Sequence, residues 1–509
     1  MESSVMTFGR RLVTFGLFAA TALCACTVGP SFKRPDPPAS AGYVNSDETL
    51  PRGPTGAAEQ SASPGNHFEQ HILLGATPAV DWWTMFQSQP LDAVIRRATS
   101  NSHTLAAARA TLLEAQELVT AESGARYPQV SVDAGAGRQK YGAQFAGAFD
   151  VPPFTYLAVG ATVSYTLDYT GKLARSVEQR QALAQYQQSE VDAAYLALTG
   201  NVALQAMLIA STRAQLQAVS ELLAEDRDNL NLVRTAFQDG SVSKTDVLTA
   251  DSQLASDETL LPPLYHQLAL AHHALAVLVG QTPADWSPPD FELGEITLPR
   301  ELPVSLPSEL VHRRPDILAA EAQLHAATAA VGIATASLYP QITLTAAGGQ
   351  QALPATAWQL FDRSGAAWSL ISGLTAPIFD GGTLRADRRA AIDELQASAE
   401  RYQQTVLESF GQVADVLDAL SQDAANLSAQ TRALAAAQSS LDLSRESYSA
   451  GNTGILQVLD AQRQRQQAQL GFVRARAQQY LDTMQLFLAL GGSRSVISIT
   501  GSRAPAASR

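Results

Sequence analysis

The sequence repeats itself at a single offset. Arg234-Thr235-Ala236-Phe237-Gln238-Asp239-Gly240 returns as Arg445-Glu446-Ser447-Tyr448-Ser449-Ala450-Gly451, with the aromatic and the glycine each 211 residues on. Val247-Leu248-x-Ala250 returns as Val458-Leu459-x-Ala461, Gly200-x-Val202 as Gly411-x-Val413, and Gly171-x-Leu173 as Gly382-x-Leu384, all at 211. Tyr127-Pro128-Gln129 returns as Tyr339-Pro340-Gln341 at 212. One offset across most of each half marks a duplicated domain, and the period is far too long for a solenoid.

Both halves follow one grammar. Residues 90–126 and 305–337 are Ala-, Leu- and Gln-rich and read as helices, broken at Tyr-Pro-Gln because proline disfavours helical geometry in the residue before it. Strands follow. Ile342, Leu344 and Ala346 alternate with Thr343 and Thr345. Leu157, Val159, Ala161, Val163, Tyr165 and Leu167 alternate with small polar residues, and Trp368, Leu370, Ser372, Leu374, Ala376 and Ile378 repeat the pattern. About ten residues with one apolar face suit a membrane barrel strand, although a soluble sandwich shows the same alternation. Proline-free stretches then run from Leu173 to Phe237 and from Leu384 to Tyr448. As helices, each would reach roughly 95 Å. Leu216, Val219, Leu223, Leu230, Val233 and Phe237 keep a heptad-like spacing that predicts coiled-coil packing. Gly240 and Gly451 permit turns. Helices return from Lys244 to Val279, past Pro262-Pro263, and from Leu456 to Leu490. Each half is therefore a strand pair plus a long helical hairpin.

The segments outside this frame are short. Arg10 and Arg11 precede an apolar stretch, Leu12 to Leu23, that reads as a signal sequence over residues 1–25. Leu23-Cys24-Ala25-Cys26 resembles a lipoprotein cleavage box, with Cys26 acylated and Cys24 as the rival. Both cysteines lie here, so no disulfide framework and no cysteine metal site are expected. Residues 26–80 form a Pro/Gly/Ser-rich lead, 81–282 the first repeat, 283–307 a Pro-rich linker, 308–490 the second repeat and 491–509 a flexible tail. After residue 26 no uncharged apolar run looks long enough for a membrane helix, so a crossing would need β-strands. A net charge of −13 without a basic patch argues against nucleic acid.

Chemistry-bearing motifs are weak. Gly171-Lys172 lacks the upstream glycine of a phosphate loop, Gly135-x-Gly137 lacks a third glycine, and adjacent His272-His273 point to different faces. Without a nucleophile elbow either, no enzyme, cofactor or metal is expected.

Four strands per chain cannot close a barrel, because the smallest membrane barrels have eight, and an open edge in lipid is costly. If the strands lie in membrane, several chains must pool them. Taken together, Cys26-Thr27-Val28-Gly29-Pro30-Ser31-Phe32-Lys33-Arg34-Pro35, Asp81-Trp82-Trp83-x-x-Phe86, Arg313-Arg314-Pro315-Asp316-Ile317, Phe379-Asp380-Gly381-Gly382 and Val458-Leu459-Asp460-Ala461-Gln462 make the chain resemble the TolC-like outer membrane factor family, in its lipoprotein branch. The resemblance implies a mainly α fold with β. It implies a homotrimer with a twelve-stranded β-barrel continued by an α-helical barrel into the periplasm. It further implies a lipid-anchored outer-membrane conduit for drugs, metals or other small molecules, docked to a periplasmic adaptor and an inner-membrane pump of the resistance-nodulation-division class. A type I secretion partner and a non-conducting envelope lipoprotein are the alternative readings.

The resemblance also carries over site residues. Asp460 matches an acidic-ring position of the periplasmic gate, Leu456 an apolar constriction, and Asp246 with Tyr448 a latch pair. Gln457 stands where some relatives have a second acid, and Thr453 where some have a base. The tips around Gly240, Ser241 and Val242, and around Gly451, Asn452 and Gly454, would dock the adaptor.

Overall fold

A computed structural model describes residues 27–37, 42–43, 70–140, 152–362 and 365–492. Cys26, the signal segment 1–25 and the tail beyond 492 lie outside the described residues. The chain divides into two compact units, one built from residues 1–35, 111–188 and 319–403, the other from 36–110, 189–318 and 404–509.

The first unit holds a four-stranded antiparallel sheet of β2 (Gln129–Gln139), β3 (Phe154–Leu167), β5 (Gln341–Ala352) and β6 (Ala366–Thr375), in the order β2-β3-β5-β6. The register explains the alternation. Val130 pairs with Val163, Val163 with Ala346, and Ala346 with Leu370. Because side chains alternate at period two, one face collects Val130, Val132, Val159, Val163, Leu344, Trp368, Leu370 and Leu374. The other collects Ser131, Thr162, Ser164, Thr343, Thr345 and Ser369. The apolar face lies open: Trp368 is 84% exposed and Leu370 75%. β2 and β6 are the sheet's edges. Expected Ala376 and Ile378 fall beyond β6, where Pro377 cannot donate a ladder hydrogen bond.

Strand-to-helix corners in this unit are capped by aspartates. Asp168 accepts from the backbone N–H of Leu173 and Ala174 at 3.1 and 2.8 Å. Asp380 accepts from Gly382 and Leu384, both at 2.9 Å. These corners start the long helices α3 (Lys172–Gln238) and α8 (Thr383–Ser449), each an unbroken 67 residues. Their carboxylates supply acceptors for the backbone N–H donors that helix N-termini otherwise leave unmet. Residues 27–35 are pinned rather than loose. Val28 N–H donates to Thr170 O at 3.0 Å, Phe32 stacks on His325 at 4.3 Å, and Arg34 pairs with Glu321 at 2.7 Å. Gly29, at φ +98°, abuts Gly332 so closely that a Cβ would lie 2.6 Å from its Cα.

The second unit has a two-stranded parallel sheet, β1 (His71–Leu74) with β4 (Glu301–Val304), in stretches that composition marks as lead and linker. The expected helix over 90–126 is two helices, α1 (Gln89–Asn101) and α2 (His103–Gly124). Ser102 separates them with extended backbone. The second copy is likewise split, into α6 (Pro307–Leu310) and α7 (Pro315–Ala336). Past the first hairpin turn, α4 (Lys244–Glu258) and α5 (Leu261–Leu278) are separate helices broken ahead of Pro262-Pro263, whereas α9 (Ile455–Ala489) is continuous. The short 3-10 turn Trp82–Phe86 anchors a buried aromatic cluster, with Trp82 stacked on Phe487 at 5.5 Å. This explains the Trp-Trp-x-x-Phe motif as packing.

One expectation needs correcting. Residues 193–212 of α3 are an uncharged run, and α3 and α7 are each long and apolar enough to cross a membrane by composition. In α3 about half of its most apolar stretch is buried inside the chain, with Val202, Ala203, Met207 and Ile209 almost fully covered. The run is core-facing.

Candidate functional site: the hairpin tips

The two tips are one backbone design used twice. Gly240 and Gly451 have φ +74° and +76°, a left-handed conformation that glycine adopts without a Cβ penalty. Ser241 N–H reaches back to Ala236 O at 2.9 Å and Gly240 N–H to Phe237 O at 3.0 Å. Asn452 and Gly451 make the equivalent bonds to Ser447 O and Tyr448 O, both at 2.9 Å. Both are Schellman endings, which satisfy the last carbonyls of α3 and α8.

The returning helices start differently. Ser243 and Asp246 form a reciprocal capping box at the head of α4. The backbone N–H and hydroxyl of Ser243 both donate to Asp246 Oδ2 at 2.8 Å, and hold its carboxyl below the usual aspartate range. The corresponding residues of α9 are Gly454 and Gln457, and Gly454 offers no side-chain cap.

Behind the turns, all four helices meet in one apolar cluster. Leu230 and Val233 of α3, Val247 and Ala250 of α4, Leu441 of α8, and Ile455, Val458 and Ala461 of α9 are buried together, with Val242 and Tyr448 packed against them. The expected heptad seam holds from Leu216 to Val233 but stops there. Phe237 is 40% exposed, with the Lys244 ammonium 5.7 Å from its ring centre.

The gate candidates sit on this frame as follows. Asp460 is half-exposed and held on its own helix, by Arg463 at 2.5 Å and Gln464 Nε2 at 2.9 Å. Leu456 is 49% exposed, next to buried Ile455. Asp246 is engaged by Ser243 while Tyr448 packs in the cluster; among the described residues no hydrogen bond joins these two. Thr453 Oγ1 is buried with no hydrogen-bond partner among the described residues.

A polar layer beyond the cluster is absent from the sequence reading. Arg465 of α9 donates to both oxygens of Glu225 on α3 at 2.9 and 3.1 Å, and Arg445 of α8 lies 3.8 Å from the same carboxylate. Asn229 donates to Gln462 Oε1, and Gln462 Nε2 reaches Asp226 at 3.4 Å. The available signal was the break in the apolar seam between Leu223 and Leu230, where Glu225 and Asp226 fall.

The chain is similar to known proteins over most of its length. A family model described as "Outer membrane efflux protein" matches residues 94–281 and 306–492, one match to each half. The chain is 32% identical to the pyoverdine export outer membrane protein OpmQ of Pseudomonas aeruginosa, over 83% of this chain and 90% of that one. It is 30% identical to the toluene efflux pump outer membrane protein TtgF of Pseudomonas putida, over 94% and 96%. Among solved structures, the outer-membrane channel OprN superposes with a TM-score of 0.80 at 25% identity, over 92% of this chain and 99% of that one.

Proposed function

Because the chain belongs to the outer membrane efflux protein family, we propose that it is the lipid-anchored outer-membrane conduit of a tripartite efflux system, passing small molecules from periplasm to exterior. The observation that carries this reading is the four-stranded sheet. It presents a largely apolar face and two edges that are unpaired among the described residues, and its strands lead along the chain into the helical hairpins. Unpaired backbone in lipid costs several kcal/mol per group, so the edges call for partner strands. Three copies supply twelve strands, above the eight of the smallest membrane barrels. The polar face then lines the lumen, and the trimer is the functional unit.

Partners and gate follow from the tips. The glycine turns with their small polar flanks form the surface for a periplasmic adaptor, which couples the conduit to a resistance-nodulation-division pump in the inner membrane. Three copies of Asp460 around the axis would form a cation-attracting ring, and three copies of Leu456 a constriction. Cys26 carries the acyl anchor. Relatives named for pyoverdine and for toluene align with this one chain along 90% and 96% of their lengths, which supports a wall that does not choose its cargo.

The test is oligomeric mass after detergent extraction, joined to single-channel recording in planar bilayers. A trimer that conducts supports the reading, and a non-conducting monomer overturns it. Asp460→Ala is expected to lower cation-over-anion selectivity while leaving trimer yield unchanged.

A further inference from the structure

Four aspartates are buried between the hairpin helices in two cross-helix pairs. Asp226 of α3 and Asp257 of α4 are 6% and 8% exposed; Asp423 of α8 and Asp482 of α9 are 8% and 7%. Each pair lies within hydrogen-bonding reach. The two are built alike. On the returning helix a glutamine four residues earlier donates to the aspartate: Gln253 to Asp257 Oδ2 at 2.7 Å, and Gln478 to Asp482 Oδ2 at 3.0 Å. On the outgoing helix, Asp226 Oδ2 and Asp423 Oδ2 are buried with no donor among the described residues. The pairs do not lie at the 211-residue offset, so the duplication does not account for them.

Two carboxylates at this range and burial cannot both stay ionised, since each loses hydration and repels the other. A single proton between them removes the repulsion and supplies the missing donor. We propose that each hairpin is clasped by a carboxyl–carboxylate bridge, Asp226 with Asp257 and Asp423 with Asp482, that joins outgoing to returning helix in mild acid and releases as pH rises.

The surroundings leave the proton as the compensating charge. Around Asp226, Glu225 adds negative charge on its own helix, and Arg465 of α9 and Arg445 of α8 are committed to Glu225. On α4, Glu258 pairs with Arg227 of α3 at 3.2 Å, and the α9 group that reaches Asp226 is the neutral Gln462, at 3.4 Å. Around Asp423, Asp482 is the charged group that acts on it. Burial first, then Asp257 and Glu225, push the Asp226 carboxyl up to about 7; burial and Asp482 push Asp423 up to about 7. These values are raised above the unfolded one. The clasp's contribution is therefore complete below about pH 4 and is lost as pH climbs through about 7.

The test is infrared difference spectroscopy and thermal melting of the detergent-extracted protein between pH 6 and pH 8.5. The wild type is expected to show a protonated-carboxyl carbonyl band at pH 6 that disappears by pH 8.5, with a melting midpoint falling by about 5 °C. In Asp226→Asn/Asp423→Asn the amide is a permanent neutral donor, so the band is lost and the fall shrinks to about 1 °C or less. Each single variant should remove about half of the band. Should the variants fail to assemble, the wild-type infrared titration decides alone. No titrating band in the wild type, or a double variant whose melting keeps the full pH dependence, overturns the clasp.

Discussion

Arg314 spends its guanidinium on three groups. Nε and Nη2 take the two oxygens of Asp316 at 3.0 and 2.7 Å, Nη2 also takes Gln412 Oε1 at 2.8 Å, and Nη1 takes Ala489 O at 2.7 Å. The last contact ties the end of α9 to the start of α7. Lysine cannot reproduce a planar fork, so Arg314→Lys is expected to lower stability by about 1–2 kcal/mol, read as a drop in thermal midpoint with the trimer intact at low temperature. The motif Arg-Arg-Pro-Asp was legible, but its partners lie 98 and 175 residues away. Sequence spacing carries no information about which distant acceptor a side chain will meet. Asp226 and Asp423 went unread for the same reason: an aspartate in a polar helix looks solvated until a second helix covers it.

At the scale of elements, the paired tips invite a matched experiment. Gly240→Ala and Gly451→Ala each place a Cβ on a left-handed residue, a strain of about 1–2 kcal/mol. Hydrogen exchange should therefore rise at residues 236–246 or 447–457 respectively, and not at the sheet. The caps break the symmetry. Asp246 is depressed by Ser243, so its help to α4 is present above the unfolded aspartate value and vanishes as pH falls below about 4. Exchange in the first turn of α4 should increase there, whereas α9, headed by Gly454, should show no matching step. Helix bounds were read to within one residue for α3 and α8, because a proline-free run between a capped corner and a glycine turn leaves little choice. The break before Pro262-Pro263 interrupts a stretch that the sequence presents as one continuing helix. Local composition does not reveal whether packing will hold a helix together across prolines.

At the scale of the whole molecule, the sheet's two faces make opposite predictions. Leu370 stands on the open apolar face, and Leu370→Arg there should cost about 2–4 kcal/mol per chain at mid-membrane. Ser369→Arg, one residue away on the polar face, should leave assembly intact and alter conductance. Trimer yield on a native gel separates the two. If both variants assemble equally, the sheet does not face lipid.

The duplication, the strand alternation and the proline-free runs were decided by sequence, because period and breaker residues act locally on the backbone. The glycine turns belong with them, since only a residue without Cβ accepts their φ cheaply. Tertiary structure alone decided three other things: the order β2-β3-β5-β6 that merges two strand pairs into one apolar face, the parallel β1–β4 pair within Pro-rich chain, and the buried acid pairs between helices. Each depends on which distant surfaces meet. That is set by the total apolar area they can cover together and by the charges they must then reconcile, and no local window contains either quantity.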